Sequence, residues 1–258
     1  MRIDVYLVQS GLFPSREKAK EAIESRSVFL NKQPILKPSF EVCENENLKD
    51  LIEIKNEIFV SRAAFKLKGF LDSNDINVLG LNAIDVGASS GGFSQILLKY
   101  GVKSLVCVDV GSNQLNEKIK LDSRVKSYEN TDIRLFLDKY LKNVEFYDRK
   151  LDVKLPFFLG VKFNLLVCDV SFIEIEKIFY TLSLLSDNMI LLFKPQFQIS
   201  NSVKRTKNGV IKNQIAIQNS LESFKNFLES KQFNIIKIQK SILKGRAGNE
   251  EFFFFIKK

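Results

Sequence analysis

Apolar runs and helical patterns alternate along the chain from residue 82 onward. Short runs that end in a polar or charged residue predict strands at 82–86, 104–109, 124–128, 164–169 and 189–194. Segments with apolar residues at helical spacing separate these runs, and such alternation is typical of a parallel sheet with helices on both faces. The pattern therefore predicts an α/β fold for this part of the chain.

The remaining elements follow from the same patterns. A late helix and two further strands close this part of the chain, whereas the stretch 145–163 is ambiguous between structure types. The helices are predicted at 91–100, 113–120, 132–142, 173–185 and 214–232, and the last two strands at 234–243 and 251–257.

The beginning of the chain has a different pattern. Ser15 is placed to cap a helix over Arg16–Ser25, and Val28–Leu30 forms a short apolar strand before a turn. An acidic, irregular stretch follows at 41–57. We therefore predict three parts: a small α+β domain at 1–57, a linker at 58–62 and the α/β domain at 63–258.

The stretch Ala83–Leu98, AIDVGASSGGFSQILL, is typical of a strand, a glycine-rich turn and a helix. Glycine lets the backbone approach a ligand closely, and the start of a helix offers free N–H groups. The turn is longer than the G-x-G-x-x-G of dinucleotide folds and opens with Asp85, which favours a positively charged adenosyl ligand such as S-adenosylmethionine. Asp109 ends the next strand and could accept both ribose hydroxyls. The alternative is a generic βαβ turn without a ligand, which the presence of Asp109 disfavours.

Charged residues end two of the other predicted strands. Asp169 ends the strand at 164–169, and Lys194 ends the strand at 189–194. The carboxyl ends of strands line the ligand crevice of an open α/β sheet, so the two charges together favour a site. Lys66 lies in a predicted helix before the sheet, where a solvated lysine is the better interpretation when the residue is taken alone.

The composition excludes several classes of catalytic and metal site. The chain has no histidine, which excludes Ser-His-Asp and Cys-His catalysis and any histidine-bearing zinc site; we expect no metal. Of three cysteines, two lie in apolar strands, which indicates reduced, packed thiols and a cytosolic setting. The net charge of +9 points to a polyanionic partner. Since no signal peptide and no membrane-length apolar run is evident, we expect a cytoplasmic protein with no membrane partner.

The N-terminal domain contains three successive patterns between Arg2 and Pro38. They are R-x-D-x-x-L, S-R-x-x-A-x-x-x-I and V-x-L-N-x-x-x-x-x-K-P. The patterns resemble the small RNA-binding module of ribosomal small-subunit protein S-four. The resemblance implies that basic side chains contact the phosphates of a folded RNA and recognise its shape, not its sequence. The alternative is a solvated helix face with ordinary charges. The residues expected to contact RNA are Arg2, Arg16, Lys20, Arg26, Lys32 and Arg62.

Further stretches extend the resemblance over nearly the whole chain: SRAAFKL, DVGASSGGF, VDVGSNQL, ENTDIR, CDVSFI and FKPQF. Together with the N-terminal module, they resemble the TlyA family of FtsJ-type ribosomal-RNA 2′-O-methyltransferases, some of which bear the name haemolysin. The resemblance implies a Rossmann-like sheet for a methyltransferase that uses S-adenosylmethionine. The strands would be parallel, with a C-terminal antiparallel strand added.

The resemblance also implies a tetrad of catalytic residues, which maps onto Lys66, Asp169, Lys194 and Glu251. Lys194 would take the proton of a ribose 2′-hydroxyl, Lys66 would activate it and orient the hydroxyl, and the two carboxylates would hold the lysines. The residues expected to contact S-adenosylmethionine are Asp85, Gly87, Ser89, Gly91, Asp109, Asp132 and Asp169.

The implied substrate is cytidine ribose in the ribosomal RNA of ribosomal subunits. The extent of the chain resembles the shorter form of the family, which acts on 23S rRNA, and 16S rRNA is a second candidate. The basic cluster Lys204–Lys207 could contact RNA or be solvated. Two alternatives are a catalytically inactive assembly factor, which the intact tetrad disfavours, and a membrane-lytic haemolysin, which the absence of an apolar span disfavours. We expect a monomer in isolation.

Overall fold

The computed structural model divides into two compact units, Met1–Arg62 and Ala63–Lys258. The predicted linker at 58–62 stays an interpretation, because 55–58 lie outside the described part of the chain. The described residues are 1–24, 27–43, 48–54, 59–140, 145–148, 153–156, 162–200 and 203–258.

The first unit joins two helices and a small antiparallel sheet around one apolar cluster. Ile3 and Leu7 lie one helical turn apart and are fully buried, because this spacing places them on one helix face. Ala19, Ile23 and Val28 extend the cluster into the second helix and the sheet. The elements are α1 Ile3–Gln9, α2 Arg16–Glu24, β1 Val28–Leu30, β2 Gln33–Pro34 and β3 Ile52–Ile54. The sheet order is β2-β1-β3.

Strands and helices alternate through the second unit. The strands are β4 Asn82–Val86, β5 Ser104–Val108, β6 Val125–Tyr128, β7 Glu145–Asp148, β8 Val153–Pro156, β9 Leu165–Cys168, β10 Asn188–Phe193, β11 Asn234–Lys240 and β12 Phe252–Lys257. The helices are α3 Arg62–Ser73, α4 Gly92–Lys99, α5 Glu117–Lys120, α6 Ile133–Tyr140, α7 Glu176–Leu185, α8 Pro195–Gln198 and α9 Gln214–Ser230.

Seven of these strands form one sheet in the order β11-β12-β10-β9-β4-β5-β6. Within this sheet, β12 runs antiparallel to both of its neighbours, and the other neighbouring strands are parallel. This arrangement confirms the predicted fold class, a parallel α/β sheet with an added antiparallel C-terminal strand. The carboxyl ends of β4, β5, β9 and β10 lie at one edge, where the predicted site residues follow them.

Some boundaries differ from the predicted ones. The ambiguous stretch contains an antiparallel hairpin of β7 and β8. The helix predicted at 113–120 is only the short α5, because the Asn116 side chain accepts a hydrogen bond from the Lys118 N–H and so caps the helix there. The helix predicted at 173–185 begins at Glu176.

A row of phenylalanines on β12 connects the sheet to helices on its faces. Phe253 stacks on Phe70 of α3, with ring centroids 4.6 Å apart. Phe254 contacts the rings of Phe193 and Phe224 at 5.6 and 5.0 Å. Because consecutive strand residues point to opposite faces, adjacent phenylalanines join different helices to the same strand. The packing of Phe70 also fixes α3, which carries Lys66, near the start of β12.

Candidate active site

Gly87 begins the turn after β4 and has a backbone geometry that favours glycine. Its φ is +81°, and an added Cβ would lie 2.6 Å from the carbonyl oxygen of Asp169. Its N–H donates to the carbonyl of Val108 at 2.8 Å. Because Gly87 lacks a side chain, the ends of β4, β5 and β9 can approach one another closely.

A cavity of about 370 Å³ opens beside this turn. Its wall brings together five of the residues predicted to contact the cofactor, namely Gly87, Ser89, Asp109, Asp132 and Asp169. Apolar side chains form much of the remaining wall, among them Val86, Val108, Val110, Ile133, Ile173 and Ile178. Three carboxylates beside an apolar wall suit a ligand that combines a flat ring, hydroxyl groups and positive charge.

Asp109 is held in place by backbone groups of two turns. Its Oδ2 accepts a hydrogen bond from the Ser89 N–H at 2.8 Å, and its Oδ1 accepts one from the Gly111 N–H at 2.7 Å. A carboxylate has about four acceptor positions, so both oxygens can still accept a hydroxyl hydrogen. The contacts therefore orient the carboxylate without using up its capacity for a ribose.

Asp132 also lines the cavity and forms an ion pair with Arg134, with Nη2 and Oδ2 2.5 Å apart. The Arg134 hydrogen bond is the largest influence on this carboxyl and lowers the pKa of Asp132 below its usual value, while partial burial acts in the other direction. The carboxylate is therefore ionised at neutral pH.

Asp85 and Gly91 are placed differently from the expectation that they contact the cofactor. Asp85 is fully buried, and its Oδ2 accepts a hydrogen bond from the Ser94 hydroxyl at 2.6 Å. Neither residue is among the described residues that line the cavity, and Gly91 packs against Ile119. The reason is strand alternation: Val86 faces the cavity, so the neighbouring Asp85 faces α4.

We expect the buried Asp85 carboxyl to make stability depend on pH. Burial raises the pKa of Asp85 from 3.8 to about 7. The protonated Asp85 carboxyl therefore contributes fully to the free energy of unfolding below about pH 4. This stabilisation is lost as the pH rises toward 7. Asp85→Asn mimics the protonated acid, so its stability relative to wild type should increase by up to about 1.4 kcal/mol per pH unit in this interval. Urea denaturation across the pH range measures this difference.

The matched control for this prediction is Asp75→Asn, which changes an exposed aspartate of the same unit. The control substitution lies at an exposed position and should change the free energy of unfolding by less than about 0.5 kcal/mol. Parallel pH curves for Asp85→Asn and wild type would contradict a raised pKa in the folded protein.

The four predicted catalytic residues form two buried ion pairs. Lys66 Nζ lies 2.6 Å from Glu251 Oε2, and the side chains are 10% and 3% exposed. Lys194 Nζ lies 2.6 Å from Asp169 Oδ1, with 9% and 14% exposure. Buried charges are costly unless they are paired, so each lysine requires its carboxylate. Asp169 also lines the cavity, which places the second pair at its wall.

Three residues that sequence reasoning did not single out support these pairs. Ser171 Oγ accepts a hydrogen bond from Lys194 at 2.9 Å. The Gln196 side-chain amide donates to Glu251 Oε1 at 3.4 Å, which links the segment of Lys194 to the other pair. An added Cβ at Gly245 would collide with Glu251 Oε1, so glycine leaves room for the carboxylate. Ser171 and Gln196 lie in the CDVSF and KPQF stretches. Each is two residues after a predicted catalytic residue, and this closeness in sequence could have identified them.

Two of the predicted RNA-contacting residues, Arg2 and Arg16, pair with a buried carboxylate. Asp4 is fully buried and accepts hydrogen bonds from Arg2 Nε and Arg16 Nη2, each at 3.0 Å. Both arginine side chains are about half exposed. Burial acts to raise the pKa of Asp4, but the hydrogen bonds from Arg16 and Arg2 outweigh it and lower the pKa below its usual value. One carboxylate therefore holds two cationic groups at the surface.

The other predicted contacts are placed as follows. Lys32 is exposed in a two-residue turn between β1 and β2, where Asn31 and Lys32 have φ values of 50° and 63°, typical of a tight hairpin. Lys20 is partly exposed on α2. Arg62 Nη1 lies 3.9 Å from Glu24 Oε2. Arg26 lies outside the described residues.

We expect Asp4→Asn to destabilise the first unit by about 1.5–3 kcal/mol, because hydrogen bonds to a charged group are lost. It should also weaken RNA binding, since Arg2 and Arg16 would lose their common anchor. Hydrogen exchange of 3–24 measures the first effect, and filter binding of ribosomal RNA measures the second. The control is Asp50→Asn, which changes an exposed carboxylate of the same unit. Equal exchange in both variants would show that Asp4 has no anchoring role.

Comparison with known proteins identifies the family. Residues 59–258 match the FtsJ-like methyltransferase model, and residues 1–48 match the S4 domain model. The chain is 38% identical to the 23S rRNA (cytidine-2′-O)-methyltransferase TlyA of Campylobacter jejuni, over 99% of this chain and 98% of the relative. The chain belongs to the TlyA family of FtsJ-like methyltransferases. This confirms the resemblance that the sequence motifs indicated.

Other relatives are similarly complete. The 16S/23S rRNA (cytidine-2′-O)-methyltransferase TlyA of Mycobacterium tuberculosis is 29% identical over 99% of this chain and 89% of its own length. A solved structure from Streptococcus thermophilus that carries the name hemolysin is 29% identical, with a TM-score of 0.66 over 100% of this chain and 88% of that chain. The TlyA family thus includes proteins with methyltransferase names and proteins with hemolysin names.

No helix in the described part is both long and apolar enough to cross a membrane. The same residues contain no group of three or more histidine, cysteine, aspartate or glutamate side chains that could hold a metal ion.

Proposed function

We propose that this protein transfers a methyl group from S-adenosylmethionine to the 2′-hydroxyl of a cytidine ribose in ribosomal RNA, with 23S rRNA as the principal substrate. The observation that carries the proposal is the pair of buried lysine–carboxylate contacts, Lys66–Glu251 and Lys194–Asp169, of which the second borders the cavity. The reaction is placed in the cytoplasm, where ribosomal subunits are found.

The cavity residues fit S-adenosylmethionine. The missing side chain of Gly87 leaves space against the backbone of Asp169. Asp109 would accept the ribose hydroxyls and Asp132 would contact the adenine, since both carboxylates line the cavity. Asp169 also lines the cavity and would supply a negative charge to a cationic ligand. When bound, this cofactor supplies a methyl group that is activated by the positive charge on sulfur.

The lysines supply the proton chemistry that the missing histidines cannot. Lys194 Nζ would take the proton of the ribose 2′-hydroxyl, and the bound cofactor would supply the methyl group to that oxygen. Lys66 Nζ donates a hydrogen bond to the attacking oxygen. Asp169 and Ser171 orient Lys194, while Glu251 orients Lys66. Fixing the two lysines before the reaction removes much of the entropic cost of alignment.

The decisive experiment is methyl transfer from radiolabelled S-adenosylmethionine to isolated 50S and 30S subunits, with mass spectrometric mapping of 2′-O-methyl cytidine. We expect labelling of 23S rRNA by the wild-type protein, and labelling of 30S subunits would add 16S rRNA as a substrate. Cofactor binding without transfer to either subunit would contradict the proposal and favour the inactive assembly factor.

A further inference from the structure

Residues 203–211, which we call the strap, connect two parts of the candidate site. The strap includes the basic sequence KRTK, which is an obvious candidate for an RNA contact. In the structure, however, Arg205 bonds to the protein itself. Its Nη1 donates to the carbonyl of Gln196 at 2.8 Å, and its Nη2 donates to the carbonyl of Ile199 at 2.9 Å.

These carbonyls belong to the second residue of the one-turn helix α8 and to the residue that follows the helix. The last carbonyls of a helix have no partner within the helix and need donors from elsewhere. A guanidinium presents several N–H groups in one rigid plane, so one arginine can satisfy two such carbonyls at once. Arg205 therefore fixes the segment that begins with Lys194 and includes Gln196.

The other end of the strap is fixed to the segment that carries Glu251. Arg205 and Ile211 form an isolated antiparallel bridge, which closes the strap on itself. The Ile211 N–H donates to Asn249 Oδ1 at 3.0 Å, and Asn249 Nδ2 donates to the Gly209 carbonyl at 3.4 Å. Asn249 is 6% exposed and lies two residues before Glu251. The strap thus contacts backbone carbonyls near Lys194 and the side chain of Asn249 near Glu251.

We propose that Arg205 is a positioning residue that holds Lys194 and Gln196 in register with Glu251. Through the strap, Arg205 sets the position of the Lys194–Asp169 pair relative to the Lys66–Glu251 pair. The two pairs are linked by the hydrogen bond from Gln196, two residues after Lys194, to Glu251. The inference rests on the proposed function, because it assigns Arg205 a part in the alignment for methyl transfer. It also means that the KRTK sequence contains one inward-facing cation whose role is distinct from that of its exposed neighbours.

The test compares Arg205→Met and Arg205→Lys with the control Lys212→Met, which removes an exposed cation just after the strap. We expect Arg205→Met to lower kcat by about 10- to 100-fold, because a displacement near 1 Å has costs of this order. The KM for ribosomal RNA and the Kd for S-adenosylmethionine should stay within about twofold of wild type. Arg205→Lys keeps the positive charge but lacks the planar fork that reaches both carbonyls, so its kcat should be intermediate. The control should match wild type.

A second measurement does not depend on activity. Competitive acetylation with acetic anhydride, followed by mass spectrometry, reports how accessible Lys194 is relative to Lys162, which pairs with Asp187 elsewhere. We expect Lys194 to become several-fold more reactive in Arg205→Met. If wild-type protein transfers no methyl group, the proposed function fails while this measurement still tests Arg205.

Two results would overturn the inference. One is a loss confined to the KM for RNA with kcat unchanged, which would make Arg205 an RNA contact. The other is Lys194 reactivity in Arg205→Met equal to that in wild type. An unchanged Kd for S-adenosylmethionine shows that either result comes from folded protein.

Discussion

Replacing Lys194 with alanine is expected to lower kcat for methyl transfer by about 10³-fold, within the range of about 10²–10⁴ for a lost general base. The cofactor should still bind, because Lys194 is paired with Asp169 and is not itself part of the cavity wall. Removing the ammonium leaves Asp169 unpaired beside the cavity. The affinity for S-adenosylmethionine, which is cationic, should therefore be equal or higher. Single-turnover transfer and isothermal titration calorimetry measure the two effects.

The matched control for this experiment is Lys240→Ala. Lys240 pairs with Glu250 at 2.5 Å but is about half exposed, so the substitution removes a lysine from an ion pair of the same unit at a more exposed position. Its turnover should match wild type. S-adenosylhomocysteine, which lacks the sulfonium charge, should not gain affinity in Lys194→Ala. Near-normal turnover of Lys194→Ala would remove Lys194 from the mechanism.

Gly87→Ala is expected to weaken binding of S-adenosylmethionine by about 100-fold and to lower turnover as well. A left-handed φ costs a residue with a side chain about 1–2 kcal/mol. In addition, the new Cβ would lie 2.6 Å from the carbonyl oxygen of Asp169, so either the turn or the end of β9 must move. Overpacking of this kind costs about 1–3 kcal/mol. Calorimetric titration with the cofactor measures the loss.

Gly11→Ala separates the two causes. Gly11 also has a positive φ, +74°, but an added Cβ there would meet nothing within 4 Å. The control therefore carries backbone strain without a collision and lies outside the unit that contains the cavity. It should bind S-adenosylmethionine like wild type. Intact cofactor affinity in Gly87→Ala would show that the turn relaxes without affecting the cavity.

Much of the second unit could be predicted from sequence because its strands have a strong signature. Buried parallel strands appear as continuous apolar runs, and a charge at the end of such a run marks the edge of the sheet. Asp109, Asp169 and Lys194 all end their runs in this way, so their common edge followed from the pattern. The pairing of Lys66 with Glu251 did not, because the two residues are 185 positions apart and meet only through the placement of β12.

The direction of individual side chains was the main limit on predicting the site. Asp85 opens the glycine turn in sequence, yet it faces α4 because its neighbour Val86 takes the cavity side. Arg205 lies among exposed lysines, but its guanidinium bonds to two carbonyls that no local pattern identifies. Gly245 shows no positive φ, and its need for space depends on Glu251. Such contacts depend on tertiary packing, which residue spacing does not encode.

The position of β12 between β10 and β11 sets an order of events during synthesis on the ribosome. The strands that form the cavity wall, β4, β5 and β9, emerge well before Glu251 and the strand that follows it. Long-range pairings such as Lys66–Glu251 form late because much chain must be ordered first. A growing chain could therefore complete the walls of its cofactor cavity before it can align the reacting groups. Catalytic competence would arise only when β12 inserts between β10 and β11.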